Sequence, residues 1–170
     1  LFKALIFRSN AMLKMSCQQI ASFILPKLLN KPTDRPLDGF LADLCDRRNP
    51  LKVLFSPVQA TKSQKNHSGS PEKQAGKSGD SILRMFLQEV GIPNQTTVYA
   101  DEWDNVERDI DYLVYIDDMC GTGSQFKTFY DSFQLHKIEA KKAYIPLFAH
   151  ELGLAELSKR CPDINVSPVE

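Results

Sequence analysis

The chain has 170 residues, of which 42% are hydrophobic and 25% charged. That is enough for one compact domain with a sizeable core, and the composition excludes disordered, collagen-like and membrane-protein classes. Twenty-one basic residues balance 21 acidic ones for a formal charge of zero, which argues against direct nucleic-acid binding through bulk charge.

The opening LFKALIFR is apolar but broken by Lys3 and Arg8, a poor secretory signal. No apolar run approaches the roughly 20 residues of a membrane span, so no membrane contact is expected. The chain begins with Leu rather than Met, as a segment of a longer protein would. Leu13, Cys17, Ile20, Ile24 and Leu28 recur at steps of three and four, predicting a helix that Pro26 and Lys31-Pro32 disrupt. A second helix carries Leu37, Phe40, Leu41, Leu44 and Cys45 and stops at Asn49-Pro50. Residues 1–50 are therefore expected to form a helical cap, and residues 51–170 the core.

Leu51 to Val58 reads as a strand buried on both faces. Residues 59–79, rich in Lys, Ser, Gln and Gly, read as a long surface loop. Asp80 can cap a helix through Val90 that Gly91 and Pro93 close. Thr96 to Ala100 and Tyr112 to Ile116 read as strands. A helix with Phe126, Phe129, Tyr130 and Phe133 on one face follows, then a strand (KKAYIPLFA), a helix from Glu151 to Lys159 and a last strand (INVSPV). Strands alternating with helices predict an α/β fold, a mostly parallel sheet with helices on both faces. Ligands then belong at the carboxyl ends of the strands.

The richest stretch is YLVYIDDMCGTGSQF, residues 112–126. An apolar strand ends in Asp117 and Asp118, and a turn (Gly121-Thr122-Gly123) leads into an amphipathic helix. The turn gathers backbone N–H groups and a positive helix end around one point, which suits an anion. Thr122 and Ser124 add hydroxyls. The carboxylates beside that point can accept from sugar hydroxyls or hold a hydrated Mg²⁺. A phosphate next to a diol describes a ribose 5-phosphate.

This stretch resembles the signature of the type I phosphoribosyltransferases: four apolar residues (Leu113 to Ile116), an acidic pair (Asp117, Asp118), two variable positions, then a turn (Thr122-Gly123) and a small hydroxyl residue. Gly121 stands where a Thr is common and Gln125 where Thr or Ser is usual, so the loop keeps its backbone and lacks one hydroxyl. The resemblance implies that Asp117 and Asp118 are the catalytic pair on the ribose hydroxyls. It implies further that Met119, Cys120, Gly121, Thr122, Gly123, Ser124 and Gln125 wrap the 5-phosphate. Lys77-Ser78-Gly79 fits the family's pyrophosphate loop. Mg²⁺ is the implied cofactor, near Asp117 and Asp118 with no direct protein ligand. The ligand is then phosphoribosyl pyrophosphate or a related nucleotide, and the reaction phosphoribosyl transfer. A non-catalytic sensing or effector module is the alternative. Within the family, the combination is closest to the phosphoribosyltransferase-like proteins of bacterial conflict and defence systems, and a homodimer is among the assemblies open to it.

Other motifs fail on inspection. PEKQAGKS (Pro71 to Ser78) nearly spells a phosphate-binding loop, but Pro71 replaces the first Gly and no strand leads directly into it. GTGSQF has Phe126 at the third Gly of a dinucleotide fingerprint, and HELGL has Leu154 where a second zinc His belongs. Cys17, Cys45, Cys120 and Cys161 are scattered singly, which suits a reducing cytoplasm rather than disulfides or zinc. The zero net charge hides two unlike regions. Residues 101–118 hold eight carboxylates against Arg108, whereas residues 62–77 hold four lysines against Glu72.

Overall fold

A computed structural model describes residues 9–30, 37–46, 51–58, 77–105 and 110–170. Four parallel strands form one sheet in the order β1-β2-β3-β4: β1 Val53–Pro57, β2 Tyr112–Cys120, β3 Lys141–Ala149 and β4 Ile164–Val166. The central pair is in register from Tyr112 opposite Lys141 to Cys120 opposite Ala149. Among the described residues six α-helices accompany them: α1 Asn10–Gln19, α2 Leu25–Leu28, α3 Leu37–Cys45, α4 Lys77–Val90, α5 Ser124–Ser132 and α6 Glu151–Arg160. The expected α/β architecture is present, with helices on both faces of a parallel sheet. Among the described residues no helix is long and apolar enough to cross a membrane.

Alternation along β2 builds the two faces. Tyr112, Val114 and Ile116 enter one core with residues of α1 to α4, together with Ile145 and Leu147. Leu113 and Tyr115 enter the other with Tyr144 and the apolar residues of α5 and α6. Because both faces are covered, the strand reads as a continuous apolar run. On the first face Leu83, Phe86 and Leu87 of α4 are fully buried. Each such side chain contributes about 1.5–3 kcal/mol of hydrophobic stabilisation.

Opposite faces follow from opposite directions of travel. After β1 the chain passes through α4 to Thr97, which bridges Phe55 in parallel on the edge of β1 away from β2. After β2 it passes through α5 to β3, on the other side. Right-handed crossovers stepping in opposite directions place their helices on opposite faces. The carboxyl ends of β1 and β2 therefore meet at a topological switch point, where ligands of such sheets bind.

Local structure differs from expectation in four places. Pro26 does not interrupt the first helix. The backbone widens to a π-helical turn at Ile20–Ile24, and the Leu25 N–H bonds the Ile20 carbonyl. One extra residue in the turn makes room for the ring and for the donor that Pro26 lacks. Thr96 to Ala100 forms a single bridge rather than a strand, since a 3₁₀ turn at Asn94–Thr96 precedes it and another begins at Ala100. Asp80 lies inside the first turn of α4 instead of capping it. Its carboxylate accepts from Arg84 Nε at 2.8 Å and from the Tyr99 hydroxyl at 2.8 Å. Lys77-Ser78-Gly79 belongs to that same first turn, not to the preceding loop. Gly91 does close α4, with φ of 79° and its N–H on the Leu87 carbonyl at 2.9 Å. Residues 59–76, most of the expected surface loop, lie outside the described residues, as do Lys31-Pro32 and Asn49-Pro50.

Candidate functional site

β2 runs four residues past the predicted end, so Asp117 and Asp118 are strand residues at its carboxyl end. Asp117 is only 1% exposed. Its Oδ2 accepts from the Tyr144 hydroxyl at 3.1 Å, and its Oδ1 from the Asp118 backbone N–H at 3.0 Å. Burial, reinforced by the neighbouring Asp118 charge, pushes the Asp117 carboxyl up to about 7. Asp118 is half-buried, and its Oδ1 accepts from the Met119 N–H at 2.9 Å.

The turn beyond it is built for close approach. Gly123 has φ of 76° and ends the turn as the residue before α5. A side chain there would be strained by conformation, and its Cβ would lie 3.0 Å from the Gly153 carbonyl oxygen. Thr122 Oγ1 and Ser124 Oγ lie 2.8 Å apart on the exposed side. Residues Met119 to Phe126, with Tyr144 beneath them, surround a small pocket of about 190 Å³. The whole expected phosphate loop, Met119 to Gln125, thus lines one concavity. Its scale suits a phosphate group. Cys120 is buried and burial pushes its thiol up, so it packs rather than reacts.

Two other elements close on this loop. The Asp117 carboxylate and the end of β1 meet the first turn of α4. A Cβ on Gly79 would sit 2.9 Å from the Val58 carbonyl oxygen and 3.1 Å from Asp117 Oδ1. The structure thereby brings the KSG segment to the acidic pair, and Ser78 beside Gly79 is exposed. From the other side comes α6, whose residue before the helix, His150, donates its backbone N–H to the Cys120 carbonyl at 2.9 Å. His150 Nδ1 accepts from the Leu152 N–H at 3.2 Å, so the HELGL histidine caps a helix. A Cβ on Gly153 would fall 2.5 Å from the Gly121 carbonyl oxygen and 2.9 Å from Cys120 Sγ.

Sequence reasoning did not mark Tyr144 or Gly153. A hydroxyl within the apolar run AYIPL is the one available signal, because a buried tyrosine needs a partner for its O–H. Nothing local marks Gly153: the chain segment it meets lies some thirty residues away.

Among the described residues no cluster of three or more His, Cys, Asp or Glu side chains could enclose a metal ion. Both Asp117 oxygens are already engaged, leaving Asp118 as the accessible carboxylate of the pair. This donor set fits an ion carried by a ligand's own oxygens and water better than one caged by protein.

A parallel α/β sheet whose acidic strand end, glycine turn and helix start converge at a switch point is the arrangement of the phosphoribosyltransferase-like class. The model of the PRTase-CE family matches residues 1–170, and the chain belongs to this phosphoribosyltransferase-like family. No curated protein matches the chain.

Proposed function

We propose that the protein binds phosphoribosyl pyrophosphate, or a related ribose 5-phosphate nucleotide, with Mg²⁺, and transfers the phosphoribosyl group. The observation that carries this reading is the loop of Met119 to Gln125 wrapped around a phosphate-sized pocket beside the acidic pair. In this reading the 5-phosphate enters the turn, where the backbone N–H groups and the start of α5 meet its charge. Thr122 and Ser124 donate to its oxygens. The acidic end of β2 accepts from the ribose hydroxyls. In the same reading the first turn of α4, Lys77-Ser78-Gly79, meets the pyrophosphate.

Chemistry follows from charge development. As the bond from C1 to pyrophosphate breaks and a nitrogen of the accepting base or amine bonds C1 in its place, losing its proton, the ribose becomes oxocarbenium-like and the departing oxygens gain charge. Mg²⁺, when bound near Asp117 and Asp118, would supply Lewis-acid stabilisation of that departing charge. The protein's own share is positioning: binding the 5-phosphate holds the reacting carbon in place through contacts remote from it. A place in the cytoplasm suits four cysteines that are all free thiols. A role in bacterial defence is part of the same proposal and rests on the motif combination of the loop.

A second reading, ligand sensing without transfer, is favoured by Gly121 and Gln125, which remove a hydroxyl from the phosphate loop. Two experiments separate the readings. Calorimetric titration with phosphoribosyl pyrophosphate and Mg²⁺ should give saturable binding that a double variant, Asp117→Asn with Asp118→Asn, weakens. Pyrophosphate release with a panel of bases and amines then marks transfer, and binding without release marks the sensor. Absence of binding by any ribose 5-phosphate compound defeats both.

A further inference from the structure

The acidic pair is not symmetric. Asp117 is shut inside the protein, with Tyr144 of β3 on one oxygen and the Asp118 N–H on the other. The first turn of α4 backs it, close enough that a Gly79 Cβ would stand 3.1 Å from Oδ1. Asp118 is half-exposed, and its Oδ1 accepts from the Met119 N–H. The bonds form a relay. Tyr144 holds the Asp117 carboxylate, the carboxylate holds the Asp118 backbone, and Asp118 in turn holds the Met119 backbone at the entry of the loop.

Tyr144 is well placed to be the fixed point of that relay. Its ring stacks on Phe126 with centroids 4.0 Å apart and planes 25° apart, and it lines the pocket floor. Burial and the Asp117 charge push its hydroxyl far up, so it remains a donor throughout the working range of pH. A buried hydroxyl donating to a carboxylate fixes that group more firmly than a pairing of neutral groups does.

We propose that the pair divides its work: Asp118 is the carboxylate that meets the ribose diol, and Tyr144 is a positioning residue that aims it by clamping Asp117 against Gly79. This deepens the ribose 5-phosphate reading above and rests on it. The consequence is specificity. With the relay intact, Asp118 is pre-aimed and the site distinguishes a ligand with a diol from a bare phosphate. Without it the phosphate loop still binds anions but reads the sugar poorly.

The test compares ribose 5-phosphate with inorganic phosphate as competitors, measured by calorimetry on the full chain. Tyr144→Phe keeps the stacked ring and deletes only the hydroxyl. It should weaken ribose 5-phosphate about tenfold while leaving inorganic phosphate within about twofold. Asp118→Asn should cost more ribose 5-phosphate affinity than Asp117→Asn. A purely structural Tyr144 would lower both affinities together, and that result overturns the proposal. So does an Asp117→Asn loss equal to or larger than that of Asp118→Asn. If Tyr144→Phe does not fold, Gly79→Ala crowds the other Asp117 oxygen, Oδ1, disturbs the same clamp and must give the same selective loss. Failure of the wild-type protein to bind ribose 5-phosphate would instead overturn the functional reading itself, so the two failures are distinguishable.

Discussion

The sheet carries a buried charge at each end, and the protein treats them in opposite ways. At the amino ends of the strands Lys142 is 7% exposed and fully compensated. Its ammonium donates to the Ile138 and Ala140 carbonyls at 2.6 and 3.2 Å and pairs with Asp163 at 3.1 Å. Tyr130 also donates to Asp163, at 2.5 Å, and these hydrogen bonds together with the Lys142 charge hold that carboxyl below its usual range. At the carboxyl ends Asp117 has no cation among its hydrogen-bond partners within the described residues. It has two neutral donors and a like charge in Asp118. Buried charges are ordinarily paired, as Lys142 is. A buried carboxyl without a described cation partner is the exception, and such groups cluster at functional sites.

The contrast can be broken from either side, and the expected effects on stability are graded. The largest is a pH dependence. The Asp117 carboxyl rises from 3.8 to about 7 on folding, so between these values the native state holds a proton that the unfolded chain has lost. Its contribution is greatest below pH 4, falls as pH rises towards 7 and is flat above, a change on the order of 4 kcal/mol. Asp163, lowered on folding, acts with the opposite sign, stabilising above its ordinary pKa and losing that contribution only in more acid solution. Thermal melts from pH 4.5 to 8 should show the decline in the wild type, and Asp117→Asn should flatten it. An unchanged slope in the variant means the titrating group is elsewhere.

Next in size is Gly153→Ala, which forces a methyl group against the Gly121 carbonyl oxygen and Cys120. It should destabilise by about 2–3 kcal/mol and weaken anion binding at the loop, read by urea denaturation and phosphate titration. Full affinity in a stably folded variant would show that α6 does not shape the loop. Lys142→Met should cost about 2 kcal/mol, less than a fully buried pair because Asp163 is partly solvent-screened. Ligand binding should be untouched, since the pair lies at the opposite end of the sheet. Smallest is Asp118→Asn, expected within about 0.5 kcal/mol of wild type in stability. Its effect belongs to binding, and a large stability loss would make Asp118 a structural residue.

The same contrast explains what could be read in advance. Local signals were enough for β3, whose observed limits match KKAYIPLFA, and for α5 and α6 with their apolar stripes. The acidic pair and glycine turn were visible because the loop is contiguous in sequence. Pro26 misled because a proline inside a helix normally breaks it, and the π-helical turn that accommodates it has no sequence mark. Thr96 to Ala100 has strand composition but, among the described residues, bridges β1 at Thr97 alone, and local turns take its two ends. Lys77-Ser78-Gly79 reads as loop because it ends a polar stretch, residues 59–79, rich in Lys, Ser, Gln and Gly. Packing decides otherwise: only a residue without a side chain lets α4 start against Val58 and Asp117. Tyr144 and Gly153 act through contacts with Asp117 and Gly121 that only the fold creates.

The central claim is that the loop from Asp117 to Gln125 binds a ribose 5-phosphate. It is tested most directly by titrating the protein with phosphoribosyl pyrophosphate and Mg²⁺, beside the Asp117→Asn, Asp118→Asn double variant. Saturable binding to the wild type, weakened at least about thirtyfold in the double variant while its fold persists, is the predicted result. No binding, or binding of equal strength in both proteins, would contradict it.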